Sequence, residues 1–544
     1  MKKKKTRKET KRGAHEERRC APPGKTPRED TASVMRFYGI KDAFPKGVRA
    51  EADAIASGKK ALADGLPRKD LRKKFVFTCD PVTARDYDDA LSLGKDALGR
   101  RVLGVHIADV SHYVRPGSEL DREARRRSTS VYFADKVVPM LPNELSNGLC
   151  SLVPGEDRLA FSVFITFDKA GKAIKSEFAK SIIRSKARYT YEQVMAAISA
   201  GGKRSAKCAI PAKERKTICA ISELAMQLRA ARFADGALDI AVPEAEIELD
   251  DSGEMTGVAT RDYDESHQMI EECMVAANEA VAKELWSHKV KVLARFHDAP
   301  DELKLEELRA GAAAMGLKCG NLAEKKPFMR FLEAVKRHPA AGTLSMMILR
   351  SMQRAVYDSS NMGHWGLAKR FYAHFTSPIR RYPDLTLHRQ LAAYLAAKGN
   401  PAKARIAPDE LAKLAEHCTA MEQCATEAER SLAEIKKYRL LEEELASRVR
   451  VDYDAVIASC EPFGCFVDVP ALAVSGLVHI SRLSRGYVRY NPSDRTLRAH
   501  GGAVWNVGDR MKVHVTRVDF LNRKLDFEPS TGSKKENRWN SRSS

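Results

Sequence analysis

The chain has 544 residues, of which 44% are hydrophobic and 30% charged, and its formal net charge is +21. This length predicts two or three domains, because single hydrophobic cores stop growing beyond roughly 250–300 residues. No apolar run approaches the ~18 residues of a membrane-spanning helix, which argues against a membrane-embedded protein. The positive charge predicts a polyanionic partner, and we expect nucleic acid rather than a membrane surface.

Residues 1–33 form a basic arm, rich in Lys and Arg and poor in large apolar side chains. We predict that this arm is disordered, because it cannot bury enough surface to offset the entropy of ordering. Three interpretations stay open: an electrostatic arm that holds phosphates without sequence preference, a solubilising tail, or the product of an overlong gene start. The arm also lacks the apolar segment of a secretory signal, which predicts a cytoplasmic protein.

The 11 cysteines are scattered and form no C-x-x-C pair. We therefore expect reduced thiols, with Cys79, Cys150 and Cys465 buried, and no zinc site.

After a predicted linker over residues 34–70, four aspartates fall within ten residues between two apolar runs; they are Asp80, Asp86, Asp88 and Asp89. Carboxylates this close repel one another, which raises their pKa values unless a cation or buried donors lie among them. Mg²⁺ prefers oxygen ligands and accepts phosphate oxygens from a substrate, and two ions ~4 Å apart suit phosphoryl transfer. A solvated acidic turn stays open as the alternative. A calcium loop is excluded, because the glycine that it needs at its sixth position is missing.

Residues 71–397 alternate strand-like runs with helix-like stretches, which predicts an α+β domain. Strands are predicted in the runs that begin at Arg101, Leu159 and Ala245. Met269–Ser287 has apolar residues at helical spacing, and we expect this helix to be scaffold beneath the acidic cluster.

Three long motifs stand out: DPVTARDYDDA at Asp80–Ala90, GVHIADVSHYVRPGSELDREARRRSTSVYFADKVVPMLPNELSNGLCSL at Gly104–Leu152, and HFTSPIRRYPDLTLHR at His374–Arg389. They resemble the RNase II/RNase R exoribonucleases and their RNB catalytic domain, most closely RNase R. The resemblance implies an α+β RNB catalytic domain at residues 71–397. It also implies a processive, Mg²⁺-dependent 3′→5′ exoribonuclease that releases nucleoside 5′-monophosphates from single-stranded RNA. Such enzymes usually carry two cold-shock-type domains before the catalytic domain, and we expect these to be absent here.

The resemblance also assigns roles within the acidic cluster. Asp80, Asp86, Asp88 and Asp89 would hold metal, with two Mg²⁺ ions during catalysis. Asp88 is the carboxylate whose loss should impair chemistry more than binding. Arg380 would stabilise charge at the scissile phosphate.

Further RNA contacts are implied for Tyr132, Arg380 and Arg381. Tyr132 would stack on the terminal base, although the residue type alone favours a buried strand tyrosine. Arg380 and Arg381 would form a phosphate clamp, but Arg381 is equally suited to a structural ion pair. His297 lies in an R-x-H-x-x-P element of the family, and a structural histidine is the favoured interpretation over a metal or acid-base role.

Residues 398–447 predict a connecting helical segment with a long amphipathic helix. Glu427 lies in a part of it that resembles the family helix bordering the 3′ end of the RNA.

Residues 448–529 switch to short alternating strands and resemble an S1 RNA-binding domain, an all-β OB-fold barrel. Phe463, Phe466 and His479 are predicted to contact RNA bases, although Phe466 would equally fit a barrel core. Residues 530–544 form a polar tail.

The predicted function is therefore RNA decay or processing by an exoribonuclease. Its expected partners are single-stranded RNA or structured RNA with a 3′ overhang, and a ribosome or helicase is a further candidate; we expect a monomer and no membrane association. Two rival hypotheses stay open: an RNA-binding protein that uses the S1 domain beside an inactive or partner-dependent catalytic domain, and a metal-dependent nuclease that cuts DNA or cuts internally.

Overall fold

The computed structural model describes residues 20–58, 66–201, 208–239, 245–260, 263–338, 341–447, 450–492 and 494–530. Residues 1–19 of the predicted basic arm and the tail from residue 531 lie outside this part of the chain. No helix within the described ranges is long and apolar enough to cross a bilayer.

A seven-stranded sheet is the centre of the larger domain, with the order β1-β8-β7-β4-β3-β2-β9. The strands of this domain, including three two-stranded ribbons outside the sheet, are β1 (Lys69–Asp70), β2 (Phe77–Cys79), β3 (Asp89–Lys95), β4 (Arg101–Ala108), β5 (Val131–Tyr132), β6 (Val137–Val138), β7 (Asp157–Phe167), β8 (Ala173–Arg184), β9 (Ala187–Tyr189), β10 (Ala245–Leu249), β11 (Met255–Thr260), β12 (Ala294–Phe296) and β13 (Val356–Asp358). Only the two edge pairs, β1 with β8 and β2 with β9, are parallel. The interior strand β7 is buried on both faces from Ala160 to Phe167, which explains its largely apolar sequence there.

Helices cover both faces of the sheet. In chain order they are α1 (Asp30–Phe37), α2 (Lys46–Ala56), α3 (Val110–Tyr113), α4 (Glu119–Arg127), α5 (Tyr191–Ser199), α6 (Ala212–Ala234), α7 (Glu265–Ser287), α8 (Glu302–Ala314), α9 (Lys325–Lys336), α10 (Ala341–Ser351), α11 (Tyr382–Ala396) and α12 (Pro408–Ser447), with a π-helix at Glu144–Leu149. Residues of α5, α6 and α7 pack on one face, and residues of α2 and α4 pack on the other. Helices α8, α9 and α10 form a separate apolar cluster.

The predicted scaffold helix is confirmed as α7, which begins four residues earlier than expected because the Asp264 side chain caps it. Met269 and Cys273 of α7 belong to the same buried cluster as Phe77 and Leu91 of the strands that flank the acidic residues. The helix therefore supports the acidic segment from below, as the apolar spacing indicated.

The 40-residue helix α12 is ~60 Å long and joins the parts of the molecule. Leu411 near its start packs with the sheet domain, Leu432 with the N-terminal segment, and Leu441 with the C-terminal barrel. Burial of successive faces against three partners explains why the helix shows no single sustained heptad.

The C-terminal domain is a closed five-stranded barrel in the order β14-β15-β16-β21-β20, which confirms the OB fold. Its elements are β14 (Tyr453–Glu461), β15 (Gly464–Val469), β16 (Val474–His479), α13 (Ile480–Leu483), β17 (Val488–Asn491), β18 (Thr496–Ala499), β19 (Val504–Trp505), β20 (Arg510–Asp519) and β21 (Lys524–Pro529). Gly464 pairs with His479, and a Cβ on Gly464 would lie 2.2 Å from the Val478 carbonyl oxygen. Only glycine permits this close approach of β15 to β16.

The expectation that all of residues 1–33 are disordered is wrong for residues 20–33, which are ordered and include the start of α1. Asp30 is fully buried and receives both a bidentate pair of hydrogen bonds from Arg439, at 2.8 Å each, and an ion pair from Lys436 at 3.1 Å. The Arg439 guanidinium also donates to the Gly24 carbonyl oxygen. Two cations of α12 thus organise a segment whose composition has too few apolar residues to order itself.

We expect Asp30→Asn to destabilise the protein by roughly 3–5 kcal/mol, because it leaves the buried Lys436 ammonium without its anion. Urea unfolding measures the loss. Asp454→Asn is the matched control, since Asp454 pairs with Lys512 while its side chain is 89% exposed. Equal stability of the two variants would contradict this role for Asp30.

Candidate active site

Two of the four aspartates meet at one end of the sheet. Asp80 follows the last residue of β2, and Asp89 is the first residue of β3. Since β2 and β3 are antiparallel, with Phe77 opposite Leu91, the end of one strand lies beside the start of the other. The Asp80 N–H donates to the Tyr189 carbonyl oxygen of β9 at 3.1 Å, which fixes the turn into the acidic loop.

The Asp80–Asp89 pair is electrostatically strained. Burial and the neighbouring Asp89 raise the pKa of Asp80 to about 8. Burial also raises the pKa of Asp89 to about 6, although Arg380 and Arg381 oppose the shift. Asp80 Oδ2 is buried and has no hydrogen-bond partner among the described residues. A bound cation would coordinate this unpaired oxygen and neutralise the negative charge of the two carboxylates.

Asp88 faces a different set of groups. Its side chain is 6% exposed, and Oδ1 accepts a hydrogen bond from the Ile379 N–H at 3.0 Å. Its Oδ2 lies 3.6 Å from Arg380 Nε. Burial nevertheless raises the pKa of Asp88 well above its usual range. Asp88 therefore ties the acidic loop to the segment that carries Arg380, across 291 residues of sequence.

Asp86 interacts with both Tyr132 and Arg380. Burial raises the pKa of Asp86, while hydrogen bonds from its own N–H and from Tyr132, together with the charge of Arg380, oppose the shift. The structure thus brings Asp86, Tyr132 and Arg380 into one neighbourhood.

The donor set fits Mg²⁺ in kind, since every candidate ligand is a carboxylate oxygen, and Mg²⁺ is commonly held by one or two carboxylates plus water and substrate phosphate. The pair Asp80 and Asp89 meets that requirement. Within the described ranges, however, no group of three or more His, Cys, Asp or Glu side chains forms a metal-binding cluster. The four aspartates are therefore not gathered into one ligand set, and the metal roles of all four stay predictions.

The two arginines of the SPIRRYPD motif occupy different environments. Arg380 is 43% exposed on its side chain, and its Nη2 donates to Ser377 Oγ at 3.1 Å, so that the guanidinium faces the acidic cluster and solvent together. Arg381 is largely buried and donates to Asp384 Oδ1 at 2.8 Å. The structural ion pair considered for Arg381 is present, whereas Arg380 is accessible to a phosphate.

Tyr132 lies on β5 and is 41% exposed, so the alternative of a buried strand tyrosine is wrong. Its N–H donates to Glu429 Oε1 of α12 at 2.7 Å. Glu429 was not among the predicted residues; Glu427, which was predicted to lie near the 3′ end of the RNA, is exposed on the same helix. No signal in the sequence distinguishes the two, because the contact joins residues 297 positions apart.

Arg188 on β9 was also missed. Its Nη2 donates to the carbonyl oxygens of Pro81 and Val82, at 2.6 and 2.9 Å, and its charge lowers the pKa of Asp80 against the larger effect of burial. The guanidinium carbon lies 5.4 Å from the centre of the Tyr87 ring. Arg188 thus clamps the start of the loop that carries Asp86 and Asp88.

The barrel presents aromatic side chains outward. Phe463 and Phe466 are 47% and 37% exposed, and their ring centres lie 6.1 Å apart at nearly a right angle. His479 is exposed on the neighbouring strand β16. The alternative that Phe466 belongs to the barrel core is wrong, because it points away from the buried neighbours Cys465 and Val467. Exposed rings of this kind suit base stacking, and the RNA contacts of all three residues stay predictions.

Both domains of the chain match known domain families. The RNB domain matches residues 68–397, and the S1 RNA binding domain matches residues 452–528. The chain belongs to the RNB family. The predicted order, an RNB domain followed by an S1 barrel, is thereby confirmed. The similarity to ribonuclease R confirms the predicted resemblance to RNase R.

The most similar relatives include ribonuclease R of Thermotoga maritima, 40% identical over 92% of this chain and 70% of that protein. Ribonuclease R of Escherichia coli is 38% identical over 91% of this chain and 61% of its own length. A solved structure of Mycoplasma genitalium RNase R in complex with ribose methylated single-stranded RNA has a TM-score of 0.81 at 28% identity, over 93% of this chain and 78% of that chain. The chain spans between 60% and 70% of the length of the first curated relatives.

Two further expectations concern the body of the RNB domain. The His297 ring stacks on His364 with centres 4.7 Å apart, and His297 Nδ1 accepts a hydrogen bond from the Gly366 N–H at 3.1 Å. These contacts favour the structural interpretation of His297. Cys79, Cys150 and Cys465 are buried and free, as predicted.

In metal-free buffer, we expect Asp80→Asn to stabilise the protein relative to wild type increasingly as the pH rises. The pKa of Asp80 is about 8 in the folded protein, above its usual value of 3.8. Between about pH 4 and about pH 8 the folded state therefore holds a proton on Asp80 that the unfolded state has lost, so the wild-type free energy of unfolding falls as the pH rises. The difference between variant and wild type should grow by at most roughly 5 kcal/mol from about pH 4 to about pH 8. Urea unfolding in EDTA measures it, and a difference that is flat over this range would contradict the strained pair.

We expect Arg188→Met to lower RNA hydrolysis about 10- to 100-fold and to raise the Mg²⁺ concentration needed for half-maximal activity, because the acidic loop loses its clamp. Arg188→Lys should recover part of the loss, since an ammonium reaches one carbonyl but lacks the fork that serves both. Arg184→Met, which removes an exposed pair with Asp157 on the adjacent strand, is the control. A drop in thermal stability without any change in the Mg²⁺ requirement would assign Arg188 a purely structural role.

Proposed function

We propose that this chain is a Mg²⁺-dependent 3′→5′ exoribonuclease that degrades single-stranded RNA processively to nucleoside 5′-monophosphates. Membership of the RNB family and the similarity to ribonuclease R establish the coarser assignment, a 3′→5′ exoribonuclease. The observation that carries the finer proposal is the buried, mutually repelling pair Asp80 and Asp89 beside the exposed guanidinium of Arg380.

Asp80 and Asp89 would hold the metal, with Asp86 and Asp88 as further candidate ligands for a second ion. A bound Mg²⁺ would supply charge neutralisation at the phosphate and lower the pKa of an attacking water. The chain itself contributes the sheet end that fixes the two carboxylates. Their burial excludes water, which strengthens their interaction with any cation.

Arg380 would offset the charge that builds on the scissile phosphate as water attacks. Ser377 Oγ and Asp88 Oδ2 hold its guanidinium from one side, and the other side is open to solvent. The guanidinium is therefore preorganised without being fully neutralised, since its distance to Asp88, 3.6 Å, leaves donor capacity for a phosphate oxygen.

Tyr132 would support the base of the terminal nucleotide, because its exposed ring lies beside Asp86 and Arg380 and its backbone is anchored by Glu429. Stacking tolerates every base, which suits an enzyme that degrades any sequence. The exposed rings of Phe463, Phe466 and His479 would hold the incoming strand at the barrel. The proposed partner is thus single-stranded RNA, or structured RNA with a 3′ overhang.

The rival hypothesis, an RNA-binding protein with an inactive catalytic domain, is disfavoured by the strained carboxylate pair. Two buried aspartates with raised pKa values lower stability, and a scaffold has no use for them. All 11 cysteines are free thiols, which supports the proposal of a reducing, cytoplasmic environment. Monomeric state and association with a ribosome or helicase stay proposals from the sequence.

Asp88→Asn should reduce RNA hydrolysis by at least ~100-fold while RNA affinity stays near wild type. The amide oxygen still accepts from the Ile379 N–H, so the fold is preserved while the charge facing Arg380 is removed. We would follow 5′-labelled single-stranded RNA with Mg²⁺ and with EDTA, at single-nucleotide resolution, with Asp454→Asn as the control.

Metal-dependent collapse to a very short product without stable intermediates is the expected result for the wild type. Intact RNA with the wild type would support the inactive-domain hypothesis. A parallel 3′-labelled RNA should release labelled mononucleotide at once, and mixed fragments would instead identify an endonuclease. Degradation of a matched DNA strand at the same rate would contradict the preference for RNA.

A further inference from the structure

A cavity that the proposed mechanism does not use lies at the end of the sheet remote from the acidic cluster. It has a volume of about 430 Å³ and extends over β3, β4, β7 and β8 beneath the segment that joins β1 to β2. Gly94, Val102, Thr166 and Lys175 are successive partners in one row across these four strands, so their side chains share a face. Helices α2 and α4 cover this face nearer the acidic cluster.

Cations dominate the lining of the cavity. Lys69, Lys74, Lys95, Arg100 and Lys175 contribute five positive charges, against Asp96 and Glu177. Both acids are already paired, Asp96 with Arg100 at 2.7 Å and Glu177 with Lys175 at 2.6 Å.

The three remaining lysines, Lys69, Lys74 and Lys95, form no ion pair with any described residue. The ammonium groups of Lys69 and Lys74 lie 4.6 and 5.5 Å from the centre of the Phe164 ring, which forms the floor. Burial and the charge of Lys69 lower the pKa of Lys74. The ring face attracts the two ammonium groups, but they repel each other and no carboxylate of the described residues neutralises them.

Strand β3 approaches the lysine cluster closely at Gly94, where a Cβ would be at ordinary contact distance from Lys74, 3.4 Å from its Nζ. Gly94 is in the interior of β3, where glycine weakens a strand and often marks a close approach of another group.

The cavity is distinct from the catalytic site. Asp89 is the first residue of β3 and Lys95 the last, so the two ends are ~20 Å apart along the strand. A ligand in the cavity therefore cannot touch the acidic cluster, but a chain molecule can reach both.

We propose that this cavity is an accessory binding site for the phosphodiester backbone of RNA. The inference rests on the proposed function only in taking RNA as the ligand of the enzyme. Three lysines without acidic partners, a half-buried Arg100 on the rim and the exposed Lys175 offer point charges to successive phosphates, without any sequence preference.

The lining favours a backbone over a free nucleotide. Its aromatic residue, Phe164, is buried and covered by two ammonium groups, so no ring face is available to a base. Lysine also binds phosphate as a point charge rather than through the bidentate geometry that arginine uses to select a single group. A strand that passes over the cavity meets these requirements, whereas a nucleoside monophosphate would leave its base without a partner.

The test measures RNA binding by the triple variant K69Q/K74Q/K95Q and by the protein that keeps these three lysines. Both proteins carry Asp88→Asn, so that the RNA stays intact. For a long single strand we expect the Kd of the triple variant to rise on the order of tenfold at low salt. The slope of log Kd against log salt should fall by about 2, since each phosphate contact on a single strand contributes about 0.7. With an otherwise wild-type active site, hydrolysis of an oligonucleotide too short to reach the cavity should be unchanged.

The matched control is K304Q/K318Q/K326Q, three exposed lysines of the α8–α9 region that form no ion pair among the described residues. It makes the same change in net charge and should leave the Kd and the slope near the reference values. The double variant K69Q/K95Q changes only exposed positions and should raise the Kd by an intermediate amount. It shows whether the effect of the triple variant persists when the partly buried Lys74 is left in place.

Equal Kd values and slopes for the triple variant and the control would overturn the proposal. Weaker binding of inorganic phosphate or a mononucleotide, with long RNA unaffected, would also overturn it and identify a small-anion site. A different outcome is that the proteins with a wild-type active site all fail to hydrolyse the short oligonucleotide, while the triple variant still binds long RNA more weakly. In that case the proposed function fails and the accessory site stands.

Discussion

The repulsion between the buried carboxylates of Asp80 and Asp89 is the constraint on which the rest of the RNB domain depends. Two such groups lie together only if a rigid framework holds them, and here the ends of β2 and β3, supported by β9, form that framework. Arg380 and Arg381 partly compensate the charge of Asp89, and Arg188 does so for Asp80. The acidic site costs folding free energy, and the packed core of sheet and helices compensates for that cost.

The elements that compensate this charge come from distant parts of the chain. Arg380 is brought to the acidic loop by the hydrogen bond between Asp88 Oδ1 and the Ile379 N–H. Tyr132 is brought to it through β5, whose backbone is held by Glu429 of α12. Helix α12 also contacts the N-terminal segment and the barrel. A displacement of that helix would therefore alter the contacts of Tyr132, of the S1 domain and of the buried Asp30 together.

Local patterns predicted much of this architecture correctly. The apolar spacing of Met269–Ser287 indicated α7, and the short alternating strands after residue 448 indicated the barrel. The long motifs around Asp80 and His374 indicated the family, because motif matching needs only residue types at fixed spacing. The predicted disorder of residues 20–33 was wrong, since composition measures what a segment buries by itself and not what Lys436 and Arg439 offer to Asp30.

The sequence by itself determined the family, the order of the two domains and the residue types of the site, since these depend on composition, periodicity and contiguous motifs. Only the tertiary structure decided which side chains meet. It separated the exposed Arg380 from the ion-paired Arg381, placed Glu429 against Tyr132, and turned Phe466 outward. It also paired Asp80 with Asp89 while assigning Asp88 to Ile379 and Arg380. The physical reason is that burial and partnership arise from contacts between residues far apart in the chain, and neighbouring positions with the same composition receive different partners.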